Sequence, residues 1–110
     1  MKESKPYLVN IIGSIEAIED YRPASEHELM GDNKTQDAIL MRLQDIGENL
    51  LHIRDQFPSF WEEHAANSWS KSIGLRNIIS HGYGEVKLSI IWHLITEDLE
   101  SFKHSVQKLL

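Results

Sequence analysis

Between positions 39 and 57, apolar side chains recur in alternating steps of four and three: Ile39, Leu43, Ile46, Leu50, Ile53 and Phe57. A β-strand, with its period of two, would scatter these residues over both faces, whereas an α-helix puts them on one. The spacing predicts a helix from about Lys34 to Asp55, ended by Pro58. A seam of this kind must be buried against other helices. The chain supplies three more. One is expected from about Lys5 to Tyr21, capped by Ser4, with Pro6 in its first turn and Leu8, Ile11, Ile12, Ile15 and Ile18 on its apolar face. A shorter one is expected from Ser68 or Ser70 to Ser80, apolar at Trp69, Ile73, Leu75, Ile78 and Ile79 and stopped by Gly82 and Gly84. The last begins near Lys87 and runs towards Leu110 along Leu88, Ile91, Ile95, Leu99, Phe102, Val106 and Leu109.

The stretch Arg22 to Asn33, broken by Pro23 and Gly31, reads as a connection with room for a short turn in EHELM. Phe60 and Trp61 fall in a loop or short turn after Pro58. No run reads as a strand. The expected fold is all-α, an antiparallel four-helix bundle in one domain spanning residues 1–110. Ile90 and Leu94 widen the apolar face of the last helix beyond what one bundle core needs, so a homodimer is expected.

Composition removes several function classes. There is no cysteine, which excludes a disulfide framework and thiolate metal sites. No stretch is apolar for long enough to span a bilayer, and the N-terminus lacks a signal-peptide core, so a soluble cytoplasmic protein is expected. The formal net charge of −6 counts against broad, sequence-independent nucleic-acid binding. It leaves room for a local basic cleft and suits a basic protein partner.

The residues best equipped for chemistry lie at the end of the third helix: Arg76, Asn77, Ser80, His81 and Tyr83. RNA can be cleaved by its own 2′-hydroxyl without a metal. That reaction needs a base for the hydroxyl proton and cationic donors for charge on the phosphate oxygens. Histidine suits the first task and arginine, with its planar fork of donors, the second. Asn77, four residues before His81, is placed to orient the imidazole, and Tyr83 to donate a hydrogen bond or stack on a base. Arg76 and His81 are five apart, so on a regular helix they point about 140° away from each other. They meet if the arginine curls round, if the helix frays at Gly82, or if a second copy supplies half of the site. An arginine and a histidine near a helix C-terminus also serve simply to pair with its last carbonyls.

The segment Gly74-Leu75-Arg76-Asn77-Ile78-Ile79-Ser80-His81-Gly82-Tyr83 resembles the signature of the HepT-like toxins of the HEPN superfamily: Arg, four residues, His, one residue, Tyr. The likeness continues in Thr35-Gln36-Asp37-Ala38-Ile39, in Ile46-Gly47-Glu48, in Pro58 followed by Trp61, in Ile91-Trp92 and in Glu97-Asp98-Leu99. The chain departs from the family pattern at Gly82, where an acidic or bulky residue is commoner, and in a longer lead from Glu62 to Gly74. The resemblance implies a dimeric helical bundle with endoribonuclease activity independent of metal or other cofactor, and Arg76 and His81 as its catalytic pair. It implies RNA, such as transfer or messenger RNA, as substrate. It also implies a cognate minimal nucleotidyltransferase antitoxin, which in some members adds AMP to the motif tyrosine, here Tyr83.

Glu48, two residues past Ile46 and off the apolar seam, is either a partner that holds Arg76 or a solvated helix residue; Asp45 reads as plain surface. His93 and Glu97 have metal-pair spacing, but no second pair joins them. Trp61, Trp69 and Trp92 suit packing better than base stacking. The alternative to a nuclease is a non-catalytic helical module that docks a nucleotidyltransferase or a nucleotide.

Overall fold

The alternating seam is buried from Ile39 to Ile53, and Phe57 at its end is half-buried. Ile39, Leu43, Ile46, Leu50 and Ile53 are all at most 4% exposed, and they form the spine of the core. The computed structural model describes residues 3–82, 84 and 86–110. Its elements are α1 (Lys5–Tyr21), α2 (Glu26–Met30), α3 (Asn33–Gln56), α4 (Pro58–His64), α5 (Asn67–His81), α6 (Leu88–His93), a π-helical turn (Leu94–Asp98) and α7 (Leu99–Gln107). Among the described residues there is no strand, and no helix is long and apolar enough to cross a membrane.

Helix α3 lies centrally, packed on α1 along one flank and on α5 along the other. Side-chain pairs fix both packings as antiparallel. Against α1, Asn10 donates to Asn49 (3.4 Å) and Ser14 to Asp45 (2.6 Å); against α5, Gln44 donates to Ser80 (3.0 Å) and Arg76 pairs with Glu48. In each set one residue number rises as the other falls. The final helical run returns along α1, where Lys103 reaches Glu19 at 2.8 Å and Arg22 donates to the carbonyl of Ile95 at 3.0 Å. The architecture is thus the all-α helical fold expected.

Local differences from the sequence reading have local causes. EHELM forms a full helix, α2, because Ser25 Oγ accepts from the Glu28 N–H and the Glu28 carboxylate accepts from the Ala24 N–H, a reciprocal cap. Pro58 both stops α3 and starts α4, since a proline's missing N–H does no harm at the first helical position. Phe60 and Trp61 therefore sit on a helix, with Trp61 edge-on to the buried Trp69 at 5.4 Å. Ser4 makes no side-chain cap, because its own backbone is already helical. Ile90 is 59% exposed while Leu94 packs partly against the core, so the broad apolar face of the last helix is only half covered.

Candidate active site on the α3–α5 seam

Two residues one turn apart on α3 hold two residues one turn apart on α5. Glu48 engages Arg76 and Gln44 engages Ser80, and the register of the two antiparallel helices makes both pairs possible at once. Arg76 Nε and Nη2 both face Oε1 of Glu48, and Arg76 Nη1 donates to Asn77 Oδ1 at 3.0 Å. The guanidinium is therefore clamped on its inner edge, which leaves the outer N–H of each terminal nitrogen for a ligand. The Arg76 side chain is 28% exposed and that of Glu48 38%, so the pair sits at the rim of the seam, wet on one side.

The clamp depends on a glycine. Gly47 is buried in the middle of α3, facing α5. A Cβ there would collide with Cβ of Arg76 and come within 3.0 Å of both Arg76 Cγ and the Ser72 carbonyl oxygen. Glycine is a poor helix former, about 1 kcal/mol worse than alanine in a helix interior. Its value here is that the two backbones close up until the short Glu48 side chain reaches the guanidinium. Ile-Gly-Glu on α3 thus has three tasks in consecutive positions: Ile46 fills the core, Gly47 permits the approach, and Glu48 fixes the arginine.

His81 lies on the last residue of α5 and is exposed. The helix stops immediately after it. Gly82 takes φ 145°, a backbone region that side chains disfavour, and its N–H bonds to the carbonyls of Ile78 and Ile79. Arg76 and His81 thus sit at successive levels of one helix, the arginine turned to α3 and the histidine at the open tip. Among the described residues, the hydrogen bond of the Asn77 side chain is to Arg76, not to the imidazole. That side chain is exposed and turned to Arg76, because the clamped guanidinium brings Nη1 within 3.0 Å of the amide oxygen. Tyr83 lies outside the described residues. Ile78, on α5 three residues before His81, is 43% exposed, and Ile90 on α6 is 59% exposed.

Against this geometry the comparisons are specific. The HepT-like family, described as ribonuclease HepT-like, matches residues 11–109. The chain belongs to the HepT-like ribonuclease family. Across 99% of its length and 98% of the relative's, it is 32% identical to "Probable ribonuclease HepT" of Thermococcus cleftensis. It is 28% identical to a protein named a "Putative RNase" in Caldanaerobacter subterraneus, covering 100% of the chain and 96% of the relative. A similarly named "Putative RNase" of Methanocaldococcus jannaschii is 26% identical over 96% of the chain and 95% of its own length. No solved structure matches.

The sequence reading overlooked Gln44 and gave no supporting role to Gly47 or Ser80, which it named. Gln44, Gly47 and Ser80 all support the seam, and the signal was present in two i, i+4 pairs, Gln44/Glu48 and Arg76/Ser80, on neighbouring helices. Asp45 is not plain surface. It is half-buried, and the almost fully buried Ser14 of α1 donates its hydroxyl to Asp45 Oδ2 at 2.6 Å. His93 and Glu97 are both exposed, and no third carboxylate or imidazole joins them among the described residues.

Proposed function

We propose that this member of the HepT-like family is a metal-independent endoribonuclease and the toxin of a toxin–antitoxin pair, working as a homodimer. The observation that carries the reading is the clamped Arg76, held by Glu48 across a glycine contact, one and a half turns from the exposed His81. In this reading, His81 takes the proton of a ribose 2′-hydroxyl. The oxygen attacks phosphorus, the bond to the 5′-oxygen of the next nucleotide breaks, and that oxygen leaves with a proton. The products are a 2′,3′-cyclic phosphate and a 5′-hydroxyl. The free Nη donors of Arg76 take up charge on the non-bridging oxygens, where a fixed fork is worth more than a mobile cation.

A dimer solves the angular problem. Residues five apart on a helix diverge by about 140°, so Arg76 of one copy meets His81 of the other more readily than its own. Exposed Ile78 on α5 and exposed Ile90 on α6 give a second copy apolar surface to cover. The antitoxin in this reading is a minimal nucleotidyltransferase that adds AMP to Tyr83, placing bulk and negative charge where a substrate phosphate would bind. Both proteins act in the cytoplasm. Asn77 supports Arg76 within the site.

The test is cleavage of total RNA and transfer RNA by purified protein in chelator, with mass spectrometry confirming unmodified Tyr83. Arg76→Ala and His81→Ala, folded by circular dichroism, are expected to lose activity. Cleavage that persists in His81→Ala would refute the assignment. No cleavage by any form would leave the site to a non-catalytic role in docking the nucleotidyltransferase.

A further inference from the structure

The outward face of α3 carries a second opening, on the side away from Arg76. It is an open depression of about 490 Å³ lined by Tyr21 from α1 and Ala38, Met41, Arg42 and Asp45 from α3. Met41, Gln44, Asp45 and Glu48 lie within about 100° of arc on the helix, so this depression and the Arg76 clamp are two flanks of one surface. They are separated by roughly the width of α3, about 10 Å.

Its lining is chemically mixed in a particular way. Tyr21 and Met41 are 39% and 58% exposed, leaving an aromatic ring and a thioether uncovered. Among the described residues, Arg42 has no ion-pair partner. Asp45 is held rather than free: Ser14 binds its Oδ2 at 2.6 Å, and the side chain of the buried Asn49 donates to its backbone carbonyl at 2.8 Å. Its Oδ1 accepts no hydrogen bond among the described residues, so the carboxylate presents one free acceptor in a fixed position.

We infer that this depression is a base-binding subsite that takes a nucleobase neighbouring the cleaved phosphate and favours one bearing an exocyclic amino group. The inference rests on the ribonuclease reading above for its substrate. A flat ring is received between Tyr21 and Met41, since aromatic rings and thioethers both pack on π faces. Asp45 Oδ1 accepts from the amino group of cytosine, adenine or guanine, as carboxylates do from cytosine N4. Uracil instead presents two carbonyl oxygens beside its ring N–H, and these repel a carboxylate. Arg42 supplies a donor for the adjoining phosphate. The site explains how a chain of net charge −6 binds RNA at all: contact is confined to one or two nucleotides and depends on the base.

The experiment is binding, by fluorescence polarisation, of short single-stranded RNAs carrying a 2′-deoxy sugar at the scissile position, so that no cleavage occurs. The neighbouring base is cytosine, adenine, guanine or uracil in otherwise identical oligonucleotides. Wild type is expected to favour the amino-bearing bases by roughly tenfold over uracil. Asp45→Asn keeps an acceptor for Ser14 but turns an N–H donor towards the base, so its preference is expected to move towards uracil. Tyr21→Ala, a change at an exposed residue, is expected to weaken all four by roughly tenfold without altering the order. Equal affinity for all four bases in wild type would overturn the subsite, as would an unchanged preference in folded Asp45→Asn or the absence of any RNA binding. Loss of the dimer in Met41→Asp without base discrimination would assign the surface to a protein interface instead. Discrimination without cleavage of the matching all-ribose RNA would retain the subsite and remove the nuclease reading; cleavage without discrimination would do the reverse.

Discussion

Substituting Gly47 and Gly74 by alanine separates the close helix approach from everything else a glycine does. Both are interior helical positions, so both variants gain the same intrinsic helix propensity, about 1 kcal/mol. At Gly74 a Cβ meets nothing within 4 Å, and that gain should appear as added stability. At Gly47 the Cβ meets Arg76 and lies 3.0 Å from the Ser72 carbonyl oxygen, which is backbone and cannot rotate away. Relief requires α3 and α5 to part. Overpacking of this kind costs about 1–3 kcal/mol. Because propensity cancels between the variants, their difference in stability should be that cost, or roughly 5–20 °C in Tm for a chain of this size. The two variants are compared at one protein concentration, because any self-association shifts both values. Activity should respond more sharply. A separation on the order of 1 Å carries Arg76 away from its working position, and misplacement of that size can cost about 10²-fold in rate. Gly47→Ala should therefore lose about two orders of magnitude in RNA cleavage at temperatures where it remains folded, while Gly74→Ala matches wild type. If the two variants are equally stable, the contact argument is wrong. If Gly47→Ala is destabilised yet fully active, the seam is structural and does not position Arg76.

Further expectations follow from neighbouring contacts. Glu48→Ala should cost at most about 1 kcal/mol, because a rim-exposed ion pair is screened by solvent, yet lower kcat at least tenfold; equal losses in a denaturation curve and a rate assay would refute the positioning role. Ile90→Asp should weaken self-association and make cleavage per protomer depend on concentration, as read by sedimentation and by activity at several dilutions; a stable, active dimer would exclude that face. The acid limb of stability should include Asp32. Its carboxylate accepts from the Thr35 hydroxyl and backbone N–H, which hold its pKa below the ordinary 3.8. A depressed carboxylate stabilises the fold above its unfolded pKa, and that contribution fades as pH falls through the folded one. Asp32→Ala should therefore lower Tm at pH 7, by an amount that shrinks as pH falls through the folded pKa; a pH-independent difference would contradict the cap.

Much of this molecule was legible because helices write their contacts into sequence period. The Ile39–Phe57 seam announced α3, and the three other apolar faces announced its neighbours. Turns of one residue type or another were harder. EHELM looked like a connection because five residues carry too little periodicity to show a helix, and only the Ser25–Glu28 cap reveals it. The clamp was half legible. Arg76 and His81 stood out by chemistry, but Glu48 read equally well as solvated surface, since choosing between those readings requires the relative register of α3 and α5. Register is set by the packing of whole helices, and no single residue carries it. Gly47 was visible within Ile46-Gly47-Glu48, but its packing role was hidden for the same reason: a glycine in a helix signals weakness until the neighbouring backbone is known to pass against it. Asp45 was misread because the residue that hydrogen-bonds it, Ser14, lies on another helix. The two flanks of α3 therefore teach the same lesson in opposite ways. On one, a glycine removes atoms so that an acid can reach an arginine; on the other, a buried hydroxyl spends its only donor fixing an acid at the surface. Both leave a polar group oriented outward from an otherwise ordinary helix, and orientation of that kind is what the proposed contact with one or two nucleotides would demand of an acidic protein.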